Sequence, residues 1–197
     1  MLLSVSGCVQ EPETSVLPLP FTVSDYYAPS GFMGDGSFAD RDAIVLAIDD
    51  DRCGPRPKDA RGSCYRFEYS PLDDGMGWGG VYWQSPPGNW GTEPGRPIAP
   101  GAAQTSFWAW SEPAGVPMSV FVGGMMGTDQ NGEPHPFTDT FRADLDIMLN
   151  AEPTSYAIEF EQDPTYDEIL GGFGWSITAG DVDGPVVVYI DNVRWED

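Results

Sequence analysis

Positive charge is what this chain most lacks. Lysine and arginine together number 9 against 31 aspartates and glutamates, a formal net charge of −22 over 197 residues. A nucleic-acid binder needs the opposite sign to meet phosphates, so DNA, RNA and anionic membrane surfaces are poor partners. Histidine is almost missing too. His135 sits alone in the turn Gly132-Glu133-Pro134-His135-Pro136, and no Gly-x-Ser-x-Gly elbow exists to make a serine-type triad. A zinc site at His135 lacks companions, since the cysteines are expected to be bonded. No glycine-rich loop leads from a strand into a helix, which argues against nucleotide chemistry. No apolar run approaches the ~18 residues of a spanning helix.

What is present has its own pattern. Glycine occurs 24 times and proline 19 times, while aromatics make up 13% and hydrophobics 41%. That is too apolar for a disordered acidic tail. It suits many short strands joined by turns. The length allows one domain with a sizeable core. About nine strands are expected, near residues 43–48, 64–69, 81–84, 104–111, 118–122, 141–149, 155–160, 173–177 and 186–195, with a single helical turn around Asp167-Glu168-Ile169. The expected fold class is all-β: a two-sheet antiparallel β-sandwich of jelly-roll type over residues 21–197.

Alternation assigns faces. In Tyr65-Arg66-Phe67-Glu68-Tyr69 the rings share one side, and Arg66 and Glu68 share the other. In Phe107-Trp108-Ala109-Trp110, either Phe107 with Ala109 or the two indoles face the core. If Trp108 and Trp110 face outward, two rings stand side by side on the surface, which usually marks an interaction site.

The stretch Gly77 to Gly91 concentrates the chemistry. Trp78, Tyr82, Trp83 and Trp90 lie among glycines and prolines, beside Gln84 and Asn89. Flat rings next to amides suit a flat hydroxylated ligand such as a sugar, whose C–H face packs on indole. The alternative is that these rings are core and the glycines are turns. The expected carbohydrate-binding set is Trp78, Tyr82, Trp83, Gln84, Asn89, Trp90, Trp108, Trp110, Arg66 and Glu68. The acidic balance favours a neutral polysaccharide. A patch docking an envelope protein is the second reading. A polysaccharide hydrolase, using Glu159, Glu161 and Asp163 on one side of a strand, is the third.

Cys53 and Cys64 bracket a short polar loop. They are expected to form a disulfide worth ~2–3 kcal/mol, the alternative being two reduced thiols. Leu2-Leu3-Ser4-Val5-Ser6-Gly7-Cys8 resembles the end of a bacterial lipoprotein signal, although it lacks a basic start and a long apolar run. That resemblance implies lipidation at Cys8, a tether through residue 20, and display at a bacterial cell surface.

Phe21 to Asp35 and the closing Val188-Tyr189-Ile190-Asp191-Asn192-Val193-Arg194-Trp195 resemble galactose-binding-like jelly rolls, among them many bacterial carbohydrate-binding modules. The resemblance implies a structural calcium ion. It would be held by Asp191 on the last strand and by Asp25 or Asp35 near the N-terminus. Calcium's preference for several oxygens in irregular loops is compatible with that.

Overall fold

In a computed structural model of the chain, the described residues are 15–49, 51–53, 56–128, 132–161 and 164–197. Cys8, Asp50, Asp129 and Asp163 lie outside them. Strands dominate the described residues: β1 (Phe21–Thr22), β2 (Ala28–Gly34), β3 (Ile44–Ile48), β4 (Tyr65–Tyr69), β5 (Trp78–Gln84), β6 (Arg96–Pro97), β7 (Gln104–Glu112), β8 (Val116–Gly123), β9 (Arg142–Leu149), β10 (Thr154–Glu159), β11 (Glu168–Ile169), β12 (Gly171–Thr178) and β13 (Val186–Glu196). Single 3-10 turns supply the only helical backbone described.

The strands form two large antiparallel sheets. The first has the order β10-β7-β13-β4-β3, with β1 added on β13. The second has the order β2-β5-β12-β8-β9, and β6 with β11 makes a small separate ladder. The expected β-sandwich is therefore what forms, and every strand expected from the alternation is there. The helical turn expected at Asp167-Glu168-Ile169 is instead β11, where Glu168 and Ile169 pair with Pro97 and Arg96. The apolar core also reaches further toward the N-terminus than residue 21, because Leu17 is buried and bridges Ile98.

The core is an aromatic stack between the sheets. The Trp83 ring meets Tyr65, Phe67 and Phe173 at 5.1, 5.5 and 5.4 Å, mostly edge-on. Phe67 meets Trp175 at 5.2 Å. Such edge-to-face pairs add to the area they bury. Trp195 closes the far end, donating its indole N–H to the Gly172 carbonyl at 2.8 Å. Alternation then dictates the outer faces. Inward Val81, Trp83, Phe173, Trp175, Val120 and Val122 put Trp78, Gly80, Tyr82, Gly174, Ser176 and Phe121 on the outside of the second sheet.

Candidate functional site: an aromatic trough on the second sheet

Neighbouring strands bring outward rings together. Tyr82 on β5 and Phe121 on β8 lie 5.5 Å apart across β12, and Trp90 from the following loop lies 6.3 Å from Tyr82. β12 has glycine where the rings cross it. A Cβ at Gly174 would come within 2.5 Å of the Phe121 ring and 2.9 Å of the Tyr82 ring, and a Cβ at Gly171 within 1.7 Å of Tyr82. Without side chains at these positions, the rings lie low over the sheet. Together with Met33, Trp78, Met125, Met126, Arg142 and Ser176 they line an open hollow of about 300 Å³. The Arg142 guanidinium sits 4.9 Å from the Phe121 ring centre, a cation–π contact, and its Nε donates to Asp144 at 3.2 Å. Trp90 is 38% exposed, so its indole is available to a ligand, whereas Tyr82 is a floor whose edge is covered. Next along the same face, Ser119, Asp146, Ser176, Thr178 and Asp181 line a second hollow of about 290 Å³, which shares Ser176 with the first.

The floor is anchored from behind. The Tyr82 hydroxyl lies 2.8 Å from the Gly123 carbonyl and 3.0 Å from Asp139 Oδ2. Asp139 Oδ2 also accepts the Met125 N–H at 2.9 Å, and Oδ1 accepts the Leu170 N–H at 2.6 Å. Burial pushes the Asp139 carboxyl above the usual carboxylate range, against the opposite pull of these backbone donors. Burial likewise holds the Tyr82 phenol well above its ordinary range, with Asp139 reinforcing it.

The outer face of the first sheet is built from similar residues and closed differently. Phe107 and Ala109 face the core, so Trp108 and Trp110 point outward. Trp110 stacks in parallel on Tyr189 at 4.9 Å and packs with the Cys53–Cys64 disulfide, which leaves it only 5% exposed. The loop behind this disulfide is pinned at several points. Arg56 donates through Nε and Nη2 to Asp191 at 2.8 and 2.6 Å and through Nη2 to the Gly62 carbonyl. The Arg61 N–H reaches Asn192 Oδ1, and the Cys64 N–H reaches Asp49 Oδ1.

No family model matches the chain, and no curated protein matches it. Solved structures do. A family 30 carbohydrate-binding module superimposes with a TM-score of 0.53 at 10% identity, over 91% of this chain and 89% of that one. The chain has the β-sandwich fold of a carbohydrate-binding module. Weaker likenesses to such modules include the family 11 module of the cellulosomal cellulase Lic26A-Cel5E of Clostridium thermocellum (TM-score 0.48, 13% identity, 92% and 96% of the two chains). Another is TmCBM61 in complex with β-1,4-galactotriose (TM-score 0.44, 13% identity, 87% and 91%).

On this module fold, the ten sequence-predicted sugar-binding residues separate. Trp78, Tyr82 and Trp90 meet in the trough. Trp83, one residue from Tyr82, points the other way and is wholly buried in the core. Gln84 and Asn89 are buried turn-formers rather than ligand contacts. Gln84 Nε2 donates to the Asn89 carbonyl, and its Oε1 accepts from the Ser30 hydroxyl. Asn89 Oδ1 accepts the N–H groups of Gly91, Thr92 and Glu93, and its Nδ2 donates to the Ser85 and Glu93 carbonyls. Trp108, Trp110, Arg66 and Glu68 stand on the opposite sheet. Trp110 is sealed under Tyr189 and the disulfide. Arg66 is buried and bound to Glu68 at 3.1 Å, with no hydrogen-bond partner for its Nε.

The three carboxylates expected to hold calcium are not brought together. Both oxygens of buried Asp191 are taken by Arg56. Asp35 is buried elsewhere, accepting from the Tyr69 hydroxyl at 3.0 Å and from the Leu72 and Met76 N–H groups. Asp25 is exposed. Among the described residues no group of three or more acidic, histidine or cysteine side chains could hold a metal ion. These residues do not fit calcium. An arginine already neutralises the carboxylate on the last strand and ties it to the disulfide loop. Of the hydrolase candidates, Glu159 ends β10 and Glu161 lies beyond it, and both line one open hollow with Arg142 and Asp144, while Asp163 lies outside the described residues.

The sequence reading missed Phe121, Arg142, Met33 and Met125. The signal for Phe121 was available: in Met118 to Val122, inward Val120 and Val122 make Phe121 an outward ring. The methionines and Arg142 come from distant segments, and only the sheet order places them beside Tyr82.

Proposed function

We propose that this chain is a non-catalytic carbohydrate-binding module that holds a neutral polysaccharide in the trough on the second sheet. The observation that carries this reading is the set Phe121, Trp78 and Trp90 around the covered Tyr82 ring, over glycines at 171 and 174. Trp90 and Trp78 would stack on the apolar faces of sugar rings, and Ser176, Ser119 and Thr178 would exchange hydrogen bonds with hydroxyls. The likeness to carbohydrate-binding modules supports the fold on which such a site would stand. Affinity electrophoresis in gels containing neutral glucans, galactans or mannans tests it. Retardation by at least one, without release of reducing ends, is expected. Unchanged mobility in every gel would overturn the reading.

Asp146 and Asp181 line the adjoining hollow and Asp144 binds Arg142 beside the trough, so uronic-acid polymers should bind least. The disulfide supports an oxidising compartment. On this reading the module is displayed at a bacterial cell surface through a lipid on Cys8. Labelling with radioactive palmitate, lost in Cys8→Ser, checks that part. A docked protein is the second reading. Met33, Met125 and Met126 favour it, because flexible thioethers adapt to protein surfaces. Recovery of one envelope protein by the wild type, lost in Trp90→Ala, with no glycan bound, would select it.

A further inference from the structure

The group behind the trough holds a proton that the hydrogen-bond geometry can place. Tyr82 has one hydroxyl proton and two close oxygens facing it, the Gly123 carbonyl at 2.8 Å and Asp139 Oδ2 at 3.0 Å. With Asp139 ionised, one of these contacts sets lone pair against lone pair in a buried place. With Asp139 protonated on Oδ2, every group is served: Oδ2–H donates to Tyr82 Oη, Tyr82 O–H donates to Gly123, and both carboxyl oxygens still accept backbone N–H groups. Resting on the trough as the binding site, we propose that Asp139 is its positioning residue and works as a neutral acid. Its proton chain fixes the Tyr82 ring, the turn at 123–125 and the start of β12 in one arrangement.

The groups on every side are consistent with this. On β5 the Tyr82 phenol resists ionisation, and Tyr27, whose hydroxyl donates to the Ile169 carbonyl at 3.1 Å, is pushed up by burial and by Asp139. Arg96 on β6 and Arg142 on β9 act on these phenols through space in the opposite sense. His135 lies four residues earlier in the same loop. No cation is paired directly with Asp139 among the described residues. For the linkage, the folded-state pKa lies above the unfolded one. The stabilisation is therefore complete below the unfolded value and is lost as pH rises through the folded value.

Infrared difference spectroscopy of the intact protein tests the proton directly and needs no glycan. Wild type in mildly acidic buffer should show a protonated-carboxyl carbonyl band that Asp139→Asn lacks, and the band should fade as pH rises. In Tyr82→Phe the band should remain and move, since the acid loses its phenolic acceptor. Glycan affinity of the wild type should fall roughly tenfold across the same pH range and stay flat in Asp139→Asn. If no Asp139-dependent band is found between mildly acidic and neutral pH, the proposal is wrong, whatever the glycan result. If the band is present and no glycan binds, the proton assignment stands and the binding reading fails. Should Asp139→Asn not fold, an unmoved band in Tyr82→Phe overturns the assignment alone.

Discussion

The two outer faces of this sandwich carry nearly the same residue types and end up as opposite surfaces. The first sheet presents Trp108, Trp110, Tyr189 and Arg66. There the Cys53–Cys64 disulfide packs onto the rings, and Trp110 and Tyr189 are 5% and 3% exposed. The second sheet presents Trp78, Tyr82, Phe121 and Trp90. There the strand between the rings has glycine at 171 and 174, and Trp90 at the edge of the hollow stays 38% exposed. An outward aromatic is therefore not yet a binding residue. What lies above and below it decides whether it becomes part of a lid-and-core cluster or a place for a ligand.

The largest effect should come from uncovering the closed face. Replacing both Cys53 and Cys64 by serine should cost about 2–4 kcal/mol of stability, read by denaturant unfolding. It should also make Trp110 accessible to a fluorescence quencher and leave glycan retardation of the folded fraction unchanged. An equal loss of retardation would mean that the closed face takes part in binding.

Filling the open face from below should do the reverse. Gly174→Ala places a methyl where the Phe121 and Tyr82 rings lie. It should cost about 1–3 kcal/mol of stability and abolish most glycan affinity. Wild-type affinity in this variant would show that the low-lying rings are not what the ligand meets.

A smaller effect is expected from Arg66→Met on the closed face. Arg66 is a buried cation with one carboxylate partner and an unpartnered Nε, so an apolar replacement should be neutral or stabilising by about 1 kcal/mol, with glycan affinity unchanged. Loss of affinity there would move the site to the first sheet.

How much of this was legible in the chain follows from what alternation encodes. Tyr65, Phe67 and Tyr69 inward and Ala143 to Leu149 in step could be read from spacing of two, whereas spacing left open whether Phe107 with Ala109 or the two indoles faced the core. The pairing of Cys53 with Cys64 could be read from their isolation around a polar loop. Trp83 could have been read the same way, since outward Tyr82 forces its neighbour inward. What periodicity does not encode is cover and partnership. Asn89 looked like a sugar contact and is a turn cap. Asp191 looked like a calcium ligand and is held by Arg56, which is 135 residues away along the chain. Those outcomes depend on which loops fold over which face, a property of the assembled sheets.

The account rests on the open face being the binding face, and one paired titration tests it most directly. Trp90→Ala and Trp108→Ala each remove one partly exposed indole, from opposite faces of the sandwich. Titrated calorimetrically with a neutral glycan that retards the wild type, Trp90→Ala should bind about tenfold or more weakly while Trp108→Ala binds as wild type does. Full affinity in Trp90→Ala with loss in Trp108→Ala would contradict the account and place recognition on the sheet beneath the disulfide loop.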